Sequence, residues 1–254
     1  METKNKIALI TGGSRGLGKD MALRIAEKGL DVIITYNSQA QDAENVVSQI
    51  EQTGQKAAAL QFNVGDIASF DTFIAKLKEV LNAKFGTDHI DYLVNNAGVG
   101  AYVPFDKVTE ETFDDLLNIH FKGVYFLTQK LLTVLNDGGG IVNVSSGLTR
   151  VSVPASSAYA AMKGAVEVLT RYLAKELGAR GIKANTVAPG AIMTDFGGGM
   201  LRSDPERQKM VSNFTALGRP GVAEDIGGVV AFLCTEDARW VNGQRIEASG
   251  GMMI

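Results

Sequence analysis

"IALITGGSRGLGKDMA", residues 7–22, decides the fold. Four apolar residues run into a glycine-rich turn, and the turn runs into an amphipathic stretch. Glycine permits a tight strand-to-helix connection and close backbone approach. A helix N-terminus adds unpaired N–H groups and the positive end of the helix dipole, so such a turn suits a phosphate. The spacing is Gly12-x3-Gly16-x-Gly18 rather than G-x-G-x-x-G, and glycines also occur in purely structural turns. The weight therefore rests on the pattern of the remaining chain.

That pattern is a regular alternation. "KIALIT" (6–11), "DVIITY" (31–36), "KAAALQF" (56–62), "DYLVNN" (91–96), "GIVNVSS" (140–146), "IKANTVA" (182–188) and "QRIEA" (244–248) read as strands. Helical patterns lie between them near 17–28, 40–53, 67–84, 109–135, 157–179 and 222–235. Apolar strands without strict alternation, separated by helices, predict a parallel sheet covered on both faces. Right-handed crossovers make this a doubly wound α/β sheet of about seven strands. With no repeat and no composition break, residues 1–254 form one domain in this reading. The segment 190–221 interrupts the rhythm as a long loop with glycines at 197–199, and residues 191–217 are expected to be a lid over the site.

Composition narrows the function. The 254 residues carry a net charge of −3, with 45% hydrophobic and 21% charged residues, an ordinary soluble balance with no basic face for nucleic acid. No apolar run is long enough for a membrane span, and the N-terminus enters a strand pattern without signal-peptide architecture. A cytoplasmic protein is expected. One cysteine, Cys234, and two histidines argue against a disulfide or a His-built metal site.

A carboxylate at the end of the second strand would hydrogen-bond an adenosine ribose and repel a 2′-phosphate. Here that place holds Tyr36, Asn37 and Ser38, and Arg15 in the glycine loop brings a cation. The set favours NADP(H) over NAD(H); a solvated Arg15 with weak discrimination is the plainer alternative. Further on, Tyr159 and Lys163 stand four apart and share a helix face. A phenol ionises near pKa 10, and a neighbouring ammonium lowers that value, which would suit general acid/base work at neutral pH. A serine at the carboxyl end of the fifth strand could hydrogen-bond a substrate carbonyl as charge develops on it. Ser145 and Ser146 point to opposite faces, and alternation alone does not say which faces the site.

These motifs together resemble the short-chain dehydrogenase/reductase family over essentially the whole chain. "TGGSRGLG" is similar to the family's TGxxxGxG cofactor loop, "NNAG" (95–98) to its motif after strand four, and "NTVAPGAIMT" to its Pro-Gly segment. Ser146, Tyr159 and Lys163 stand at its thirteen- and four-residue spacings, which selects Ser146 over Ser145. The resemblance implies that Tyr159 is the acid/base, that Lys163 binds the nicotinamide ribose and tunes Tyr159, and that Ser146 orients the carbonyl. It implies cofactor contacts from Gly12, Ser14, Arg15, Gly16, Leu17 and Gly18, and from Asn96, Ala97 and Gly98. Pro189, Gly190, Ile192 and Thr194 would lie at the nicotinamide, and Val64 at the adenine. Asn63 replaces the family's frequent aspartate but keeps an acceptor oxygen.

The family's fourth catalytic residue is an asparagine three positions before a glycine. In "NIHFKG" (118–123) that slot holds His120, whereas Asn118 is two residues out of register and about 200° around the helix. Unless a one-residue bulge intervenes, His120 faces the site and Asn118 faces away. A neutral imidazole could hold the water that the asparagine holds in the family, while an ionised one would be opposed by Lys163.

The implied activity is NADPH-dependent carbonyl reduction or its reverse, on a small-molecule ketone or secondary alcohol, by a dimer or tetramer paired through the helices at 109–135 and 157–179. Phe196, Met200 and Leu201 suggest an apolar pocket wall. The C-terminal "GGMMI" would pack on a neighbouring subunit or cap the core. A ketoacyl reductase serving an acidic carrier protein ranks lower, because Asp137 stands where a base beside Arg180 would help. An NAD-dependent alcohol or sugar dehydrogenase and a non-catalytic redox sensor are the remaining alternatives.

Overall fold

A computed structural model describes residues 5–254. Seven strands form one parallel sheet: β1 (Ile7–Ile10), β2 (Asp31–Tyr36), β3 (Ala57–Gln61), β4 (Ile90–Asn95), β5 (Leu135–Val144), β6 (Lys183–Pro189) and β7 (Arg245–Ala248). Their order is β3-β2-β1-β4-β5-β6-β7, so the winding reverses between β1 and β4. Residues of β1 are all buried and alternate between two cores. Ala8 and Ile10 join Val32, Ile34 and Val94 on one face, while Ile7 and Leu9 join Ile33, Leu93 and Phe70 on the other. That two-sided burial is why the strand reads as a continuous apolar run.

Helices α1 (Gly16–Glu27) and α2 (Ala40–Glu51) cover the first face together with a later helix. α3 (Phe70–Val80), α4 (Glu110–Leu117), α5 (Gly123–Leu131) and α6 (Ser157–Glu176) come next in the chain. α3 and α5 pack on the second face through Phe70, Phe73, Leu77, Leu127 and Leu131. The single helix expected at 109–135 is in fact α4 and α5 joined by a wider π turn at Asn118–Lys122; it ends at Leu131, and Leu135 already begins β5. The Gly123 amide closes that turn onto the Asn118 carbonyl. A Cβ at Gly123 would lie 2.3 Å from the Val64 carbonyl, so glycine is what lets this turn approach the end of β3 so closely.

The segment expected as a long loop is largely helical. Gly197, Gly198 and Gly199 all take positive φ (61°, 78° and 71°), turning the chain into α7 (Met200–Ser203) and α8 (Pro205–Phe214). Asp204 caps α8 by accepting from the Glu206 and Arg207 amides, and Pro205 occupies its first turn. An Asp-Pro start is a helix signal that the glycines overshadowed in the sequence. α9 (Glu224–Leu233) completes the first face, and Cys234 at its end is buried, its thiol pushed up to about 12 by burial. No helix among the described residues is long and apolar enough to cross a membrane.

Candidate active site

The carboxyl ends of the strands and the turns beyond them surround one cavity of about 740 Å³. At its phosphate end lie Gly12, Ser14, Arg15, Gly16, Leu17 and Gly18. Here α1 begins with no side-chain cap and no acid in its first turn, leaving its N–H groups and positive dipole to the cavity. The loop is held from two sides. Thr35 Oγ1 accepts from the Gly12 amide (3.3 Å), and Asn96 Nδ2 donates to the Thr11 and Gly12 carbonyls (2.9 and 3.1 Å). Asn96 thus acts on the loop as well as lining the cavity.

Tyr36, Asn37 and Ser38 line the same cavity where β2 ends, with no carboxylate among them. Asn63 and Val64 are next, although Asn63 turns its Oδ1 onto the Gly65 amide (2.9 Å). Ala97, Gly98, Pro189, Gly190, Ile192 and Thr194 line the middle. Every residue expected at the cofactor therefore borders one continuous space.

Ser146, Tyr159, Lys163 and His120 converge at the far end of it. Ser145 Oγ donates to Glu167 Oε1 (2.7 Å) and is thereby engaged, whereas Ser146 Oγ lines the cavity beside Tyr159 and accepts from the Leu148 amide (3.2 Å). Lys163 Nζ donates to the Val144 carbonyl (2.7 Å) and lies 5.8 Å from the centre of the Tyr159 ring. Burial pushes this ammonium down to about 8. The Tyr159 phenol is shifted upward, chiefly by burial, with Ser146 acting the other way. This corrects the expectation of a phenol lowered by Lys163: desolvation dominates, and the ammonium is turned to the strand carbonyl.

His120 is fully buried, with its ring edge-on to Tyr159 at 5.0 Å. Its Nε2 sits 2.8 Å from the Val99 carbonyl, and its Nδ1 has no protein partner. Burial first, then the Lys163 charge, push the imidazole down to about 3 against the Val99 bond, so it is neutral. A Cβ on Gly98 would come within 2.7 Å of its Cε1, so "NNAG" and His120 fit one another. Asn118 does not line the cavity, while Ile119 and His120 do. The π turn is the bulge that might have reversed this order, yet it leaves the imidazole inward.

Comparison with known proteins gives the lineage of this site. Residues 12–253 match a family model described as Enoyl-(Acyl carrier protein) reductase. The chain belongs to the short-chain dehydrogenase/reductase family. Among its relatives in that family is a hydroxynaphthalene reductase-like protein from Metarhizium brunneum, 37% identical over 97% of this chain and 94% of the other. Two solved structures are also similar. Angucycline C-6 ketoreductase LanV with bound NADP has a TM-score of 0.92 and 38% identity, over 98% of this chain and 95% of that one. LugOII, a promiscuous reductase that catalyses keto-reduction at C1 during lugdunomycin biosynthesis, has a TM-score of 0.94 and 36% identity over the full length of both chains.

The outer wall of the cavity holds what the sequence concealed. Phe196, Met200 and Leu201 are there as expected, joined by Tyr102, Met210 and Phe214. Met210 and Phe214 stand four apart on α8, a helical spacing that would have shown a shared face had α8 been recognised. Met252 and Met253 also line the cavity, so "GGMMI" borders the site, which neither expectation for it foresaw. Arg180 is at the opposite end of the sheet, where it pairs with Asp137 (2.6 Å) and donates to the Leu132 and Leu135 carbonyls. It offers no cation to the mouth of the site.

Proposed function

We propose that the chain is an NADP(H)-dependent carbonyl reductase of apolar, ring-bearing ketones, with Tyr159 as proton donor. The observation that carries this reading is the meeting of Ser146, Tyr159 and Lys163 in the cavity that also holds an uncapped α1 start, Arg15 and a carboxylate-free end of β2. That donor set fits a dinucleotide carrying an extra phosphate. Gly12, Ser14, Arg15, Gly16, Leu17 and Gly18 would hold its pyrophosphate, Tyr36, Asn37 and Ser38 its phosphorylated ribose, and Asn63 with Val64 its adenine. Asn96, Ala97, Gly98, Pro189, Gly190, Ile192 and Thr194 would hold the nicotinamide end. When bound, the cofactor supplies the hydride.

The chain's own residues supply the proton and the fit. Ser146 donates a hydrogen bond to the carbonyl oxygen, and the Tyr159 hydroxyl gives that oxygen its proton. The upward shift of Tyr159 keeps the phenol protonated at neutral pH, the form that reduction needs. Lys163, as a cation, stabilises the phenolate left behind and binds the nicotinamide ribose. Neutral His120 takes the place of the family's asparagine: its Nε2 is held by the Val99 backbone, and the unpartnered Nδ1 is left for a water that leads to Lys163. Residues 191–217 act as the lid, with Phe196, Met200, Met210 and Phe214 as its inner side.

The relatives support the substrate class, being named for a hydroxynaphthalene and an angucycline. A cytoplasmic homo-oligomer is the setting we favour. The test monitors nucleotide absorbance with NADPH or NADH and a panel of ketones, ketoesters and an acyl thioester. Substrate-dependent NADPH oxidation should fall on the order of 10³-fold in Tyr159→Phe while nucleotide binding persists. Equal turnover in that variant would overturn the assignment, and nucleotide binding without turnover of any panel member would favour a sensor.

A further inference from the structure

After β7 the chain turns back over the mouth of the cavity through Gly250 and Gly251, both at positive φ (63° and 75°). This tail lies along the exit of α8. The Leu217 amide donates to the Gly250 carbonyl (3.0 Å), the Ala216 amide to Gly251 (3.2 Å), and the Met253 amide to Phe214 (2.8 Å). On its other side, one nitrogen of Arg150, Nη2, donates to the Met252 carbonyl (3.0 Å) and to Glu247 Oε1 (2.6 Å). The same Glu247 oxygen accepts from Ser249 Oγ (2.9 Å), and Ser249 Oγ in turn accepts from the Met252 amide (3.3 Å).

The chain of bonds continues inward. Arg245 joins Glu247 (2.9 Å) to Glu167 (2.8 Å), and Glu167 accepts from Ser145, the neighbour of Ser146 (2.7 Å). Glu247 and Glu167 are largely shielded, with 19% and 14% of their side chains exposed, so these charge-assisted bonds are less screened than open surface pairs. The serine shelf, the tail and the exit of α8 are thus tied in sequence, and nothing in the reaction chemistry requires that tie.

We propose that Arg150 is a positioning residue: by clasping the Met252 carbonyl and Glu247 it holds Met252 and Met253 as the far wall of the substrate pocket, which favours broad ring-bearing ketones over small ones. The inference rests on the carbonyl-reductase reading and adds the element that sets substrate size. Two unbranched thioethers suit that role, because they adapt to the outline of a ring system and make favourable contacts with aromatic edges. A small ketone has little surface to lay against the two thioethers and gains less from them than a ring system does.

The experiment compares wild type, Arg150→Ala, Arg150→Lys and Met252→Ala, with 2-tetralone and butanone as substrates. Hydrogen exchange is measured in parallel on the NADPH-bound proteins. In Arg150→Ala and Met252→Ala the KM for 2-tetralone should rise about tenfold, the scale of losing a contact worth a methylene or two. In Arg150→Ala the kcat, and the KM for butanone, should stay within about twofold, since that side chain holds the tail and does not line the cavity. Arg150→Lys keeps a cation at Glu247 and should recover part of the loss. Exchange at the Ala216, Leu217 and Met253 amides should quicken in Arg150→Ala. An equal change for both ketones, or unchanged exchange at those amides, would overturn the clasp. Should wild type reduce neither ketone, the carbonyl-reductase reading fails on its own, and the exchange measurement still decides whether Arg150 holds the tail.

Discussion

At position 120 one imidazole carries a structural bond on one nitrogen and none on the other. Its ordinary pKa of 6.5 is pushed down to about 3 by burial and by Lys163, so a proton binds the unfolded chain more tightly than the folded one. The resulting stability is present in full above the unfolded value of about 6.5 and is lost as pH falls toward the folded one. Urea unfolding at pH 7.5, 6.0 and 5.0 should show wild type losing up to about 1.4 kcal/mol per pH unit more than His120→Asn below pH 6.5. Parallel losses in the two proteins would mean that the imidazole is not held neutral. That His120 and not Asn118 lines the cavity was legible in the sequence from register against Gly123. Its bond to Val99 was not, since no spacing rule joins a helix residue to a turn 21 positions earlier.

At the scale of elements, the end of β2 is where we propose that the cofactor is selected. Tyr36 closes the strand, and an acid placed there would face a 2′-phosphate. Tyr36→Asp should therefore shift the ratio of kcat/KM for NADPH over NADH toward NADH on the order of 10²-fold, the scale of a like-charge clash. An unchanged ratio would transfer the selectivity to Arg15 alone. Strand β2 matched its expected limits of 31–36 because its apolar run is flanked by turn residues on both sides. The segment 190–221, expected as a loop, did not match. Its length and three glycines read as loop, but Asp204 and Pro205 are the cap and first turn of a helix, and the apolar spacing of Met210 and Phe214 shows only once that start is seen. Similarly, the π turn carries no compositional mark. It arises from the approach of Gly123 to Val64, a tertiary contact that local pattern cannot express.

At the scale of the whole molecule, the reversal of strand order between β1 and β4 opens the crevice in which cofactor and substrate residues meet. The residues proposed for the cofactor could be placed at one cavity from the sequence, because backbone-binding turns demand glycine and small residues at fixed spacing. The substrate half draws on α8 and the C-terminal tail, brought together only by folding. The outer faces carry a further expectation. Phe113 and Tyr125 on α4 and α5, and Val168 and Tyr172 on α6, are exposed apolar residues on the helices that the family pairs. Light scattering should give a mass two or four times 27.0 kDa, and Val168→Asp combined with Tyr172→Asp should reduce it. A monomeric wild type would leave those faces to another role. The one thiol of the chain has a practical consequence. Cys234 is walled in and protonated at working pH, and maleimides react with exposed thiolates, so the native protein is silent to them. An Asn213→Cys substitution on the exposed side of α8 would then take a single fluorophore, and the chain would report on the surroundings of that helix without any further change to its sequence.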